Sequence, residues 1–169
     1  LPRAMAYPSD LVRLLSRADA ALSELSGWSS VLPNPHVLIA PYVRREAVLS
    51  SRIEGTQATL SDLMIDELGA DAVARHPRPN DVMEVRNYVV ALEYGMDRLS
   101  TLPLSLRLVR ELHDRLMRGV HGDHAAPGEF RRSQNWIGPA GSTPANAPYV
   151  PPPVVEMNDL LDDWERFLH

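Results

Sequence analysis

Asn80–Leu99 reads NDVMEVRNYVVALEYGMDRL. Val82, Val85, Val89, Leu92, Met96 and Leu99 recur at spacings of three and four. Over about five turns, that is the pattern of an amphipathic helix with one buried stripe. Asn80 or Asp81 stands where an N-cap belongs.

Reading outward, the same period returns. Ser105 to about Gly119 predicts a helix buried through Leu106, Val109, Leu112 and Leu116, with His113 beside that stripe. Thr59, with Asp62 three residues on, predicts a capping-box start for a short helix carrying Leu60, Leu63, Met64 and Leu68, stopped by Gly69. Ser9-Asp10 can cap a first helix whose Leu11, Leu14, Leu15, Ala18, Leu22 and Leu25 form a buried stripe, with Gly27 as its end. Pro33 and Pro35 break the chain after it. A second helix then runs from about His36 to Ile53, with a kink or restart at Pro41. A last helix turns Met157, Leu160, Leu161, Trp164, Phe167 and Leu168 inward. Residues 69–80, GADAVARHPRPN, read as a loop. From Val120 to Pro153 helical periodicity vanishes and Gly, Pro, Ser and Asn dominate. SQNWIG and APYV there suit short extended pieces of a hairpin. The fold class is mainly α, about six helices with one long irregular excursion. Excursions of that length inside a domain are uncommon and often functional.

The composition is that of an ordinary globular chain: 169 residues, 44% hydrophobic, 23% charged. A net charge of −5 argues against direct nucleic-acid binding by this segment. The absence of cysteine excludes disulfides, thiol catalysis and thiolate metal sites. All 17 basic residues are arginine, which excludes a P-loop lysine, a Schiff base and a lysine general base. No apolar run approaches the roughly 18 residues of a membrane span. A cytoplasmic location is therefore expected. Residue 1 is Leu, so the numbering is expected to begin inside a longer reading frame.

Several groups suggest chemistry. His121, Asp123 and His124 (HGDH) have the composition of metal ligands but no helical i, i+4 pair, so a solvated turn is expected and no metal site. His113 is expected to be a hydrogen-bonded structural histidine, and Arg44-Arg45 and Arg131-Arg132 solvated surface charge. Glu54 is different. It sits in the last turn of the second helix, before Gly55, where the helix end already carries partial negative charge. An acid there costs about 0.3–1 kcal/mol. Either this is a frayed end whose carboxylate is held by Arg52 or water, or its partner is a guanidinium elsewhere, met in a bidentate pair.

The stretch around it, NPHVLIAPYVRREAVLSSRIEGT (34–56), resembles the amino-terminal segment of Fic (filamentation-induced-by-cAMP) proteins. Ser50 to Gly55 fits their inhibitory pattern, [Ser/Thr]-x-x-x-Glu-[Gly/Asn]. EVRNYVVAL, LVRELHDRLMRG, PGEFRRSQNWIG and YVPPP before DWERFL follow in the family's order. The resemblance implies an amino-terminal helical segment with the inhibitory motif (1–75). The first part of the Fic core (76–169) would follow, with a short β-hairpin flap at 130–152. The catalytic motif His-Pro-Phe-x-[Asp/Glu]-Gly-Asn-Gly-Arg-x-x-Arg does not occur, so no catalytic residue is assigned to this chain, and the chain alone is expected to be inactive.

For the full protein the resemblance implies transfer of AMP from ATP, with Mg, to a hydroxyl of a target protein; reversal of that modification stays open. No nucleotide is expected to bind this chain tightly. Glu54 would block the productive ATP pose by pairing with the motif's second arginine, with Ser50 supporting it and Gly55 ending the helix. Gln134, Trp136, Ile137 and Gly138 would form a flap edge that docks the target by strand addition, with Ile137 and Gly138 beside the nucleotide. Arg131 would hold the flap's base. A homo-oligomer is open. The alternative is a non-catalytic helical interaction module of a longer DNA-binding or toxin–antitoxin-type regulator. An intact catalytic motif in the following 40 or so residues of the gene would favour the enzyme, and a degraded one the module.

Overall fold

The structure, a computed structural model, describes residues 6–69, 79–120 and 126–169. Six helices are described: α1 (Ser9–Val31), α2 (Pro35–Ile53), α3 (Leu60–Glu67), α4 (Pro79–Arg98), α5 (Leu106–Leu116) and α6 (Val154–Leu168). Close helix packing joins α4 to α5, α2 and α3, and α2 to α3.

The valine stripe of α4 does what its spacing predicts. Val82 and Val85 are fully buried and Val89 almost so, against Ala47 and Val48 of α2, Ala58 of the connector and Leu63 of α3. Below Val89 the stripe fails: Met96 and Leu99 are exposed. The buried line moves instead to Asn87, Ala91 and Gly95, four residues apart. A Cβ on Gly95 would stand 3.0 Å from Leu112 Cδ2, so small residues let α5 approach closely. Asn87 is buried but satisfied, its Nδ2 donating to the carbonyls of Leu116 (3.1 Å), the last residue of α5, and Arg118 (2.8 Å) just past it. Those carbonyls have no intrahelical partner.

Polar ties reinforce the packing. Arg44, expected to be solvated, is partly buried and donates through Nε to both carboxylate oxygens of Glu67 at 2.9 Å, tying α2 to α3. Between α4 and α5, Glu111 accepts from the Tyr94 hydroxyl (2.5 Å), Arg98 (3.1 Å) and Arg107 (2.9 Å). The Arg115 guanidinium lies 3.2 Å from the centroid of the Tyr94 ring, a cation–π contact. The Tyr94 and Arg98 hydrogen bonds outweigh partial burial and hold the Glu111 carboxyl at about 2.

Helix ends agree with the sequence where a side chain can reach. Thr59 and Asp62 form the reciprocal capping box, and the Ser105 hydroxyl accepts from Leu108 N. Elsewhere the boundaries shift. α1 starts after Pro8 without a side-chain cap and runs through Gly27 to Val31. Pro35 opens α2 behind an Asn34 cap, and α2 continues through Pro41. Proline at a first helical position loses only an N–H that would be unpaired anyway. α4 already begins at Pro79, so Asn80 and Asp81 lie inside its first turn.

Three larger expectations are corrected. α1 has no buried residue; its apolar stripe exists but nothing described covers it. Leu160 and Phe167 of α6 are exposed rather than inward, although α6 is tethered where Glu165 accepts from Leu106 N at 2.7 Å. The excursion holds no strand among the described residues, so the β-hairpin flap is absent. One antiparallel bridge, Ile137 with Tyr149, stands alone. Pro139, Pro148 and Pro151 flank its two sides, and proline lacks the N–H that would extend a ladder.

Leu63→Ala is expected to cost about 2–4 kcal/mol in denaturant unfolding, whereas Met96→Ala, at 65% exposure, should stay within about 0.5 kcal/mol. Because the Glu111 carboxyl is depressed to about 2 from an ordinary 4.5, its stabilising contribution is present above pH 4.5 and lost as pH falls toward 2. Acid unfolding monitored by circular dichroism should therefore be less steep between pH 4.5 and 2 for Glu111→Gln.

Candidate functional site at the end of α2

Helix α2 ends in a hydrogen-bonded stop that explains both residues of the Glu54-Gly55 pair. Glu54 is the C-cap. Gly55 follows at φ +101, in the left-handed region open to glycine. Gly55 N donates to Arg52 O (3.1 Å) and Thr56 N to Ser51 O (3.2 Å). This pair of bonds is the Schellman motif. The turn delivers the chain onto α4, where Gln57 N donates to Asp81 Oδ2 at 2.6 Å. Thr56 is buried beneath the turn, and its hydroxyl oxygen has no hydrogen-bond partner among the described residues.

Glu54 is exposed, and no ion pair or side-chain hydrogen bond engages it among the described residues. It lines a groove of about 630 Å³ between the end of α2, α4 and the end of α5, together with Ser51, Thr56, Glu84, Tyr88 and Met117. Arg52, the neighbour that could have neutralised it, is not among the groove's lining residues. Ser50 also borders the groove, but its hydroxyl turns back one helical turn and donates to Glu46 Oε1 at 2.8 Å rather than to Glu54. Glu84 was not singled out from sequence, since one acid on an amphipathic helix looks like solvated surface.

Among the described residues the groove's charged lining is Glu54 and Glu84, with no arginine or histidine. That electrostatic character suits a cation. The described lining residues offer no group that neutralises the phosphate charge of a nucleotide triphosphate. Among the described residues no group of carboxylates and histidines is arranged to hold a metal ion; His121, Asp123 and His124 lie outside them.

The expected flap residues sit elsewhere. Ile137 N donates to Tyr149 O (2.9 Å) and Tyr149 N to Ile137 O (3.3 Å). The Gln134 amide donates to Pro151 O at 2.9 Å, and Arg131 reaches Pro152 O at 2.5 Å and Ser133 O at 3.1 Å. Arg131 thus clasps the two arms at their base. Trp136, Ile137 and Gly138 are exposed. A Cβ on Gly138 would come within 2.7 Å of Ser142 Oγ and 2.9 Å of Pro148 Cδ, so only glycine fits beside the bridge. His113 accepts from Gly128 N through Nδ1 at 2.9 Å, anchoring the start of the excursion to α5 as a structural histidine.

The profile of the Fic/DOC family N-terminal region matches residues 12–97, just over half the chain. The chain belongs to the Fic/DOC family. The matched Fic/DOC region runs from within α1 almost to the end of α4, so the Schellman turn, Glu54 and Glu84 fall inside it, whereas α5, the excursion and α6 fall outside. No curated protein matches the chain significantly. No helix among the described residues is long and apolar enough to cross a membrane.

In this Fic/DOC chain Gly55→Ala should lose about 1–2 kcal/mol of stability through its left-handed backbone alone, since open space surrounds the position. Thermal or denaturant unfolding measures it, and Gly55→Asn should recover part of the loss.

Proposed function

We propose that this Fic/DOC chain forms the amino-terminal part of a self-inhibited protein adenylyltransferase, which transfers AMP from ATP to a target-protein hydroxyl. The observation that carries the reading is Glu54: a carboxylate with no partner among the described residues, held by a rigid helix stop at the rim of an acid-lined groove. Two carboxylates, with no cation among the described lining residues, suit a guanidinium. The arginine supplied by the family's catalytic motif is the proposed occupant, and its pairing with Glu54 would remove it from ATP phosphate. Glu54 is thereby a latch, tolerated at an unfavourable helix end because its counter-charge arrives from elsewhere. ATP and Mg would be held by the catalytic motif rather than by the residues described above.

The bridge at Ile137 supports a docking role for the excursion. Ile137 spends both backbone groups on Tyr149, and alternate residues of an extended segment point their backbone groups oppositely. Trp136 and Gly138 are then the positions whose N–H and C=O would meet an added target strand.

The test is Glu54→Gly in the full-length protein with labelled ATP. Self-AMPylation should rise at least about tenfold, the equivalent of about 1.4 kcal/mol of lost charge-assisted pairing. Unchanged labelling in an active enzyme would remove the latch.

A further inference from the structure

The excursion is fastened to α5 by two side chains one helical turn apart. Gly128 N donates to His113 Nδ1 at 2.9 Å, and Arg110 Nε donates to Gly128 O at 2.7 Å. Arg110 and His113 share a helix face at a spacing of three, and between them they take both backbone groups of one glycine. Gly128 lies close against the helix: a Cβ there would stand 3.2 Å from Arg110 O and 3.3 Å from Asp114 Cβ. The turn itself is strained. Ala126 adopts φ +57, a left-handed conformation that a Cβ disfavours, and Glu129 N closes the turn onto Ala126 O at 3.0 Å.

The two anchors differ in how they respond to protons. A guanidinium keeps its charge, whereas histidine ordinarily titrates between pH 5 and 8. A ring nitrogen accepts a hydrogen bond only through a free lone pair. His113 Nδ1 is therefore unprotonated while it holds Gly128, and the ring is neutral with its proton on Nε2. A proton on Nδ1 would set N–H against N–H.

No neighbouring group supplies a counter-charge for the protonated ring. On α5 and just past it, Asp114 is taken by Arg118 at 2.5 Å. On the excursion, Glu129 is taken by Arg110 at 2.5 Å, with Arg132 4.0 Å from its other oxygen. Toward α4, Glu111 is taken by Tyr94, Arg98 and Arg107, and Arg115 lies on the Tyr94 ring. From α6, Glu165 accepts from Leu106 N, two turns away at the start of α5. None of these groups forms an ion pair with His113 among the described residues.

We propose that His113 is a proton-sensitive clasp. Neutral, it fixes the start of the excursion to α5; protonated, it lets Gly128 N go and leaves Arg110 as the remaining anchor of a strained turn. The bond is present at neutral pH and is lost as pH falls. This holds whether or not the protein transfers AMP, because it involves only α5 and the turn at 126–129.

Amide hydrogen exchange followed by NMR on the 169-residue chain tests it, each rate being divided into the intrinsic rate at the same pH. Protection of the Gly128 amide should fall about tenfold between pH 7.5 and 5.5, the loss of one hydrogen bond. In His113→Asn the side-chain oxygen replaces Nδ1 as an acceptor that does not titrate, so protection should persist at both pH values. In His113→Phe, with no acceptor, protection should be low at both. Nitrogen shifts of the imidazole should show Nδ1 as the unprotonated ring nitrogen at pH 7.5. A proton on Nδ1 at that pH, protection in the native chain that ignores pH, or the same fall in His113→Asn would overturn the proposal.

Discussion

Burial of α4 on two sides is the constraint on which the rest of the structure depends. Its valine line at Val82, Val85 and Val89 closes the core with α2 and α3. Its small-residue line at Asn87, Ala91 and Gly95 admits α5. The two lines sit at different heights, so α2 and α3 pack on the first half while α5 engages the second. Glu111 gathers Tyr94, Arg98 and Arg107 at that second contact. The polar tie is largely surface chemistry, but its three donors converge on one carboxylate, which sets register more than it adds stability.

From α4 follows the placement of Glu54. The turn after α2 is pinned at both ends: Ser51 and Arg52 carbonyls take the Schellman bonds, and Asp81 of α4 takes Gln57 N. A carboxylate on such a turn has little freedom to find a neutralising neighbour. The groove beside it adds Glu84 from α4 and, among the described residues, no cation. Two carboxylates lining one groove favour a cationic occupant. The Ser50 hydroxyl at the groove's border is held one helical turn back by Glu46.

Away from α4, the chain keeps apolar side chains without burying them. α1 and α6 contain no buried residue. The excursion between α5 and α6 is organised by single clasps rather than by packing: His113 with Gly128, Arg131 with Pro152, and the Ile137–Tyr149 bridge. Prolines on both arms deny it a ladder. An extended edge that pairs at one point and has free backbone groups on either side retains capacity for another strand, which is the physical basis of the docking role proposed for it.

The sequence by itself determined the helical class, the capping box at Thr59, the stop at Gly55, the buried valines of α4 and the structural role of His113, because each depends on spacing or on a side chain reaching a backbone group a few residues away. It also isolated Glu54 as an acid in an electrostatically unfavourable place. Only the tertiary structure decided which stripes are covered. Leu22 and Val85 share the same period, yet one faces water and the other the core, since periodicity records a face and not what lies against it. The Asn87–Ala91–Gly95 seam escaped a hydrophobic reading because its residues are small or polar, and their value lies in allowing α5 close. Glu84 escaped a linear reading because it lies far from Glu54 along the chain, and only the packing of α2 on α4 sets both along one groove.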